Sequence, residues 1–290
     1  MSRILITGKT GQVGYELQRS LQGLGEIIAL DRSQMDLADL DQIRDVIRRV
    51  KPTLIVNPAA YTAVDKAESE PELAMRINGE APGVMAEEAK KLGAAMIHYS
   101  TDYVFDGSKD GPYIETDPTC PVNVYGSSKL AGEQAIQAAG IPHLILRTSW
   151  VYSTHGKNFL LTMLRLARER DELSIVSDQF GAPTWSRTIA DTTAHIVAQS
   201  LVHADQQAWW SEHAGLYHLT AQGKTTWFGF TEAIMGHPSV TKKPQLKPIL
   251  AKDYPVPAKR PNNSQLSSRL LMDTFCGLPQ WADALALCQD

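Results

Sequence analysis

The stretch that most restricts how this chain can fold is its beginning. Arg3-Ile4-Leu5-Ile6-Thr7 is a short apolar run with the character of a buried strand, and it passes straight into Gly8-Lys9-Thr10-Gly11-Gln12-Val13-Gly14. Gly8, Gly11 and Gly14 make a GxxGxxG loop. Glycines at this spacing permit a tight turn, let the backbone approach a pyrophosphate, and let the next helix pack on the sheet with its N-terminal amides facing the anion. A second apolar run, residues 26–30, ends in Asp31, roughly twenty residues beyond the loop, where a carboxylate can accept hydrogen bonds from an adenosine ribose. Strand, glycines, helix, strand and acid in that order predict a dinucleotide-binding βαβ unit.

The rest of the chain continues the alternation that a parallel sheet covered by helices requires. Leu40, Ile43, Val46, Ile47 and Val50 fall on one helical face. Residues 53–57 read as the third strand, followed by the small residues Pro58-Ala59-Ala60-Tyr61-Thr62, which can pass close under a cofactor. A long helix is expected over residues 72–91, kinked or interrupted by Pro82. The fourth strand, 95–100, ends in Thr101, at the sheet edge where open α/β folds bind ligands, so that its hydroxyl can meet a substrate oxygen. His98 in this strand reads as a satisfied core or surface side chain. A fifth strand, 143–148, leads to Trp150, which is either a core anchor or a stacking platform.

Helices are expected at 158–170 and 186–202, with a sixth strand at 173–176 between them. Beyond that the alternation fades, and Pro238, Pro244, Pro248, Pro255, Pro257 and Pro261 predict extended segments and turns that cover a substrate. There Arg260 either presents a guanidinium to a phosphate or makes a surface turn. A last helix is expected at 279–288. The fold class is therefore α/β, a Rossmann-type doubly wound parallel sheet with a smaller C-terminal substrate-binding region. Residues 1–150 form mainly the dinucleotide-binding domain and 151–290 mainly the substrate region, with some segments returning to the sheet.

The chemistry centres on Tyr125-Gly126-Ser127-Ser128-Lys129, where a tyrosine and a lysine four residues apart share one face of a predicted helix. A phenol titrates near pH ~10, so an ammonium that stabilises the phenolate would tune it for proton transfer. On its own such a pair is common on helix surfaces, and its weight comes from the dinucleotide unit upstream.

Charge and composition limit the partners. The 290 residues carry a formal net charge of −4 with no basic run, which argues against nucleic acid. No leader-like apolar segment and no run near ~18 apolar residues is present, so no membrane is expected and the cytoplasm is the expected compartment. Cys120, Cys276 and Cys288 form neither a CxxC nor a Cys/His cluster and are expected to be structural thiols.

In several of these segments the chain resembles the extended short-chain dehydrogenase/reductases, and more closely the dTDP-4-dehydrorhamnose reductases. The resemblance runs through the glycine loop, Val64-Asp65-Lys66-Ala67-Glu68, Ser100-Thr101-Asp102-Tyr103-Val104-Phe105-Asp106-Gly107, the Tyr125–Lys129 segment, Arg147-Thr148-Ser149-Trp150-Val151-Tyr152 and Gly181-Ala182-Pro183-Thr184. It implies that Thr101, Tyr125 and Lys129 are catalytic and reduce a ketone of a nucleotide sugar. It implies that Gly8, Gly11, Gln12, Val13, Gly14, Asp31, Arg32, Asp36, Leu37, Ala60, Tyr61, Thr62 and Tyr99, with Tyr125 and Lys129, line the nicotinamide cofactor. On the substrate it implies Thr101, Asp102, Tyr103, Trp150 and Arg260. Asp31 favours the free hydroxyl of NADH, while Arg32 and Lys9 can pair with the 2′-phosphate of NADPH, so use of either is expected.

Two other readings are weighed. A related dehydratase would have a Glu after the Thr-Asp pair, where this chain has Tyr103, and a catalytically silent cofactor-binding regulatory subunit would not need Thr101, Tyr125 and Lys129 together. Some relatives are thought to form Mg²⁺-linked dimers through carboxylates. Glu16 fits the first of these positions, but Arg187 stands near the second, so no metal and a monomer or metal-independent dimer are expected.

Overall fold

The computed structural model of the chain describes residues 2–290. Its first half contains β1 (Arg3–Ile6), α1 (Gln12–Ser20), β2 (Glu26–Ala29), α2 (Leu40–Val50), β3 (Leu54–Asn57), α3 (Val64–Ala67), α4 (Pro71–Met75), α5 (Ala81–Leu92), β4 (Ala95–Thr101), α6 (Val124–Ala139) and β5 (His143–Thr148). The second half contains β6 (Val151–Tyr152), α7 (Phe159–Glu169), β7 (Glu172–Val176), β8 (Phe180–Gly181), β9 (Thr184–Trp185), α8 (Ser186–Leu201), α9 (Gln206–Glu212) and β10 (Gly215–His218). It closes with β11 (Thr225–Thr226), α10 (Trp227–Gly236), β12 (Gln245–Ile249), α11 (Arg269–Thr274) and α12 (Trp281–Gln289).

Six strands pair in the order β10-β5-β4-β3-β1-β2, every pair parallel. The chain runs outward from β1 to β2 and then returns to the other side of β1 as β3. This reversal is the switch point at which open α/β sheets leave a crevice beyond the strand ends. The loops after β1 and β3 flank it.

Strand periodicity divides the core into two layers. Ile4 and Ile6 face Leu17, Leu21, Ile189 and Ile196, so α1 and α8 cover that side. Leu5 and Ile55 face Ile43, Ile47, Met85 and Ile136, so α2, α5 and α6 cover the other. A separate core of Tyr152, Leu160, Leu173, Ile175, Phe230, Ile234 and Leu285 holds the C-terminal region together.

The interruption expected at Pro82 takes the form of a π-helical turn, Arg76–Glu80, between α4 and α5. It leaves Pro82 in the first turn of α5, where its missing N–H costs no helical bond. The run at 173–176 is a strand, but it pairs with β12 in a separate two-stranded parallel sheet. The sixth strand of the main sheet is β10, which the fading alternation hid. Pro248 lies within β12, which has a single neighbour and so an edge free of ladder bonds.

Candidate active site

Thr101 is the last residue of β4, and its side chain is buried where the strand gives way to a 3₁₀ turn, Asp102–Val104. Its hydroxyl donates to Asp102 Oδ1 at 2.9 Å and accepts from the Tyr103 amide at 3.2 Å. Asn123 caps the facing helix α6, accepting from the Gly126 amide at 2.8 Å, which starts the helix one residue before Tyr125. Gly126 lets that first turn press on the 3₁₀ turn: a Cβ there would lie 2.1 Å from the Tyr103 carbonyl oxygen. The Tyr125 ring meets the Tyr103 ring edge-on, 5.5 Å between centroids.

Lys129 is buried, and its Nζ donates to the Tyr99 carbonyl at 2.6 Å and lies 3.1 Å from His98 Nε2. The ammonium's hydrogen bonds thus go to β4. The expectation that Lys129 draws the Tyr125 phenol down does not hold here. Burial, with the Asp102 carboxylate beside it, pushes the phenol above its ordinary value, and a hydrogen bond with Thr101 opposes this. Burial likewise pulls the Lys129 ammonium down to about 8, while the Glu133 carboxylate works the other way. Glu133 is held by Arg147 of β5 through bonds of 2.9 and 2.6 Å.

A cavity of about 410 Å³ opens in front of this pair, at the switch point. Of the expected cofactor residues, Gly8, Gly11, Gln12, Val13, Gly14, Ala60, Thr62, Tyr99, Tyr125 and Lys129 line it. The site fits a dinucleotide on three counts. No side chain caps α1, so its N-terminal amides are free for an anion. Gly14 lies so close to the loop that a Cβ would come within 2.2 Å of the Gly8 carbonyl oxygen. Gln12 Oε1 is buried without a hydrogen-bond partner.

The adenosine end looks different. Asp31 accepts from Ser33 and pairs with Lys9 at 3.1 Å, and Arg32 pairs with Asp36 at 3.2 Å. These neighbours hold the Asp31 carboxyl below its ordinary value. The Leu37 side chain is a core residue packed with Leu5 and Ile43, so it does not line the cavity. Tyr61 turns its hydroxyl to Glu70 at 2.7 Å. Sequence reasoning missed Lys157 and Gly156 of the loop before α7, Thr148 of β5 and Ser100 of β4, all of which line the cavity.

Trp150 sits at φ +48°, a left-handed conformation rare for a bulky residue, and stacks on Trp227 with 3.6 Å between ring centroids. The indole lies against Gly181, where a Cβ would reach within 2.5 Å of it. Trp227 continues into a groove of about 640 Å³ whose walls include Phe159, Val176, Gln179, Tyr254 and Arg260. Arg260 is no free surface turn: it pairs with Asp65 at 2.9 Å, while its buried Nε has no partner. The groove shares no lining residue with the dinucleotide cavity. Among the described residues no group of three or more His, Cys, Asp or Glu could hold a metal, and no helix is long and apolar enough to cross a membrane.

The family described as RmlD substrate binding domain matches residues 1–290. The chain is similar to the dTDP-4-dehydrorhamnose reductase of Burkholderia thailandensis, with 50% identity covering 99% of this chain and 97% of that protein. It is 48% identical to the enzyme of that name from Escherichia coli K12, over 96% and 94% of the two chains. Among solved structures, the dTDP-4-dehydrorhamnose reductase of Bacillus anthracis in complex with NADP superposes with a TM-score of 0.89 at 33% identity, covering 100% of this chain and 99% of that one.

Proposed function

This chain belongs to the dTDP-4-dehydrorhamnose reductase family, and from that premise we propose how its residues divide the work. The reaction is reduction of the 4-keto group of dTDP-4-dehydro-L-rhamnose to dTDP-L-rhamnose. A nicotinamide cofactor, NADPH or NADH, held by the glycine loop with Ala60 and Thr62, supplies the hydride.

Tyr125 gives its proton to the carbonyl oxygen, and the observation that carries this assignment is its place beside Lys129 in the cavity wall, on a helix turn pressed against the turn that follows Thr101. A phenol is protonated at neutral pH, so Tyr125 holds the proton that the carbonyl oxygen needs. Thr101 orients the carbonyl oxygen. Lys129, which lines the cavity beside Tyr125, would hold the nicotinamide ribose. On the substrate side, Trp150 with Trp227 carries the sugar nucleotide and Arg260 meets its phosphates.

The pairing of Lys9 with Asp31 and of Arg32 with Asp36 supports use of either cofactor. Both acids can accept ribose hydroxyls, and both cations can turn to a 2′-phosphate. Arg187 pairs with the buried Glu16 at 3.4 Å, which supports a monomer or a metal-independent dimer, and we place the protein in the cytoplasm.

The test is to supply the nucleotide-linked 4-keto sugar and follow nicotinamide absorbance for the wild type and Tyr125→Phe. The variant is expected to lose nearly all turnover while its cofactor affinity stays within a few-fold. Unchanged turnover would remove Tyr125 from the reaction.

A further inference from the structure

From Lys129 a file of buried polar groups, idle in the reduction itself, runs across the sheet to Ala59 in the cavity wall. His98 has no exposed surface in the middle of β4, and its Nε2 is 3.1 Å from Lys129 Nζ. Its Nδ1 is 3.0 Å from the side-chain nitrogen of Asn57, the last residue of β3, which is equally buried. Asn57 Oδ1 meets the Thr7 hydroxyl at 2.6 Å, and that hydroxyl accepts from the Ala59 amide at 3.3 Å. The file crosses the sheet from the end of β1 through β3 and β4 to α6. Its Ala59 end lies directly under the glycine loop, where a Cβ on Gly8 would come within 2.9 Å of the Ala59 Cβ.

A buried ammonium has three N–H donors and no means of shedding them to water. The Tyr99 carbonyl takes one. His98 takes a second only if Nε2 carries a lone pair, which puts the ring proton on Nδ1 and requires an acceptor beyond it. Asn57 supplies that acceptor when its amide turns its oxygen toward the imidazole and its nitrogen toward Thr7 Oγ1. The two orientations have the same shape. The donors then run in line, Lys129 to His98, His98 to Asn57 and Asn57 to Thr7, and the Thr7 hydroxyl gives up its own bond to the Asn57 oxygen. With the amide nitrogen toward Nδ1, Nε2 carries the proton and faces a neutral amine instead. One amide and one imidazole can therefore accommodate Lys129 in either charge state.

We propose that His98 is a positioning residue of the reductase site: its Nε2 is the second acceptor of the Lys129 ammonium, and Asn57 holds the imidazole in the tautomer this requires. The inference rests on the role given to Lys129 above. It also explains why a strand otherwise made for the core carries a histidine at this position. The other titratable groups around the pair are Glu133 of α6, already bound to Arg147 of β5, Tyr125 of α6, Tyr99 of β4 and Asp102 just after it. Of these residues only Tyr99, through its carbonyl, accepts a hydrogen bond from the ammonium.

The experiment titrates the full chain labelled with ¹³Cε-lysine by NMR, without cofactor, the Lys129 signal being identified by its loss in Lys129→Met. The wild-type midpoint is expected near pH 8, and burial is the cause. His98→Gln places an amide oxygen near the position of Nε2 and should hold the midpoint within about threefold in proton affinity. His98→Asn, too short to reach, and His98→Leu, with no acceptor, should each lower the affinity by about tenfold. The alkaline limb of kcat/KM is expected to move with the NMR midpoint in His98→Asn and to stay in place in His98→Gln. A midpoint in His98→Asn equal to that of the wild type would overturn the proposal, as would a loss of kcat with an unmoved pH profile. His98→Asn carries the test should the leucine variant fail to fold. The NMR midpoint judges the contact even if Lys129 proves to have no part in turnover.

Discussion

Gly126→Ala adds a single methyl group and strikes at the placement of Tyr125. The new Cβ would stand 2.1 Å from the Tyr103 carbonyl oxygen and 2.9 Å from its carbon, with the Pro121 side chain at 3.1 Å on another side. Ordinary contact begins at 3.4 Å, so the first turn of α6 and the 3₁₀ turn after β4 must separate by about 1.3 Å. Both obstructing atoms at Tyr103 belong to backbone, so no side-chain rotation relieves the clash. The two turns carry Tyr125 and Thr101, and widening the gap pulls the phenol from the hydroxyl that orients the carbonyl. A misplacement of about 1 Å costs on the order of 10²-fold in rate. Overpacking of this kind costs about 1–3 kcal/mol in stability, which a chain of this size survives. The assay is steady-state reduction with saturating cofactor, alongside the thermal midpoint and the cofactor dissociation constant. A folded variant is expected to keep its cofactor affinity and lose about a hundredfold in kcat. A folded variant with kcat within about threefold of the wild type would refute the claim that this contact sets the catalytic geometry.

Three further perturbations follow from the same geometry. Trp150→Ala removes a stack worth about 0.5–1.5 kcal/mol together with the indole's own contacts. It should raise KM for the nucleotide sugar several-fold or more with cofactor affinity unchanged, whereas equal losses for both ligands would mark Trp150 as a core residue. Lys129 has a folded pKa of about 8 against an ordinary 10.5, so between those values the unfolded chain binds the extra proton and the lysine's contribution to stability rises with pH. Lys129→Met should therefore raise the thermal midpoint more at pH 7 than at pH 10, and an equal gain at both would show that the lysine is not held in this way. Light scattering should give the same mass with and without a chelator, because Arg187 occupies Glu16; a mass that drops when Mg²⁺ is removed would show that other carboxylates complete a metal site.

The parts of this molecule that could be read from sequence are those whose signal is local. Gly8, Gly11 and Gly14 announce a backbone conformation, the Ile4-Leu5-Ile6 run announces burial, and Tyr125 and Lys129 announce a shared helix face. What escaped depends on contacts between distant segments. Trp227 has no motif around it, and its importance arises only because Trp150 lies on it. The short strand Gly215–His218 has few residues and no strong periodicity, and only its pairing with β5 makes it part of the sheet. His98 looked like a core residue in a core strand, since the ammonium and amide that meet its two nitrogens come from α6 and β3. Leu37 went the other way: a cofactor role was expected for it, and its side chain packs inward.

The late arrival of β10 also bears on how the protein is made. While it is being synthesised, the chain up to Thr148 presents β5 with one side unpaired until Gly215–His218 has emerged, about seventy residues later. An unpaired buried strand is a template for other chains, and loop closure over such a distance slows its capture. A fragment ending near residue 150 would keep the glycine loop, Tyr125 and Lys129, yet would carry an open apolar edge. It is expected to aggregate, and the two halves expressed apart should recover solubility only when they are produced together.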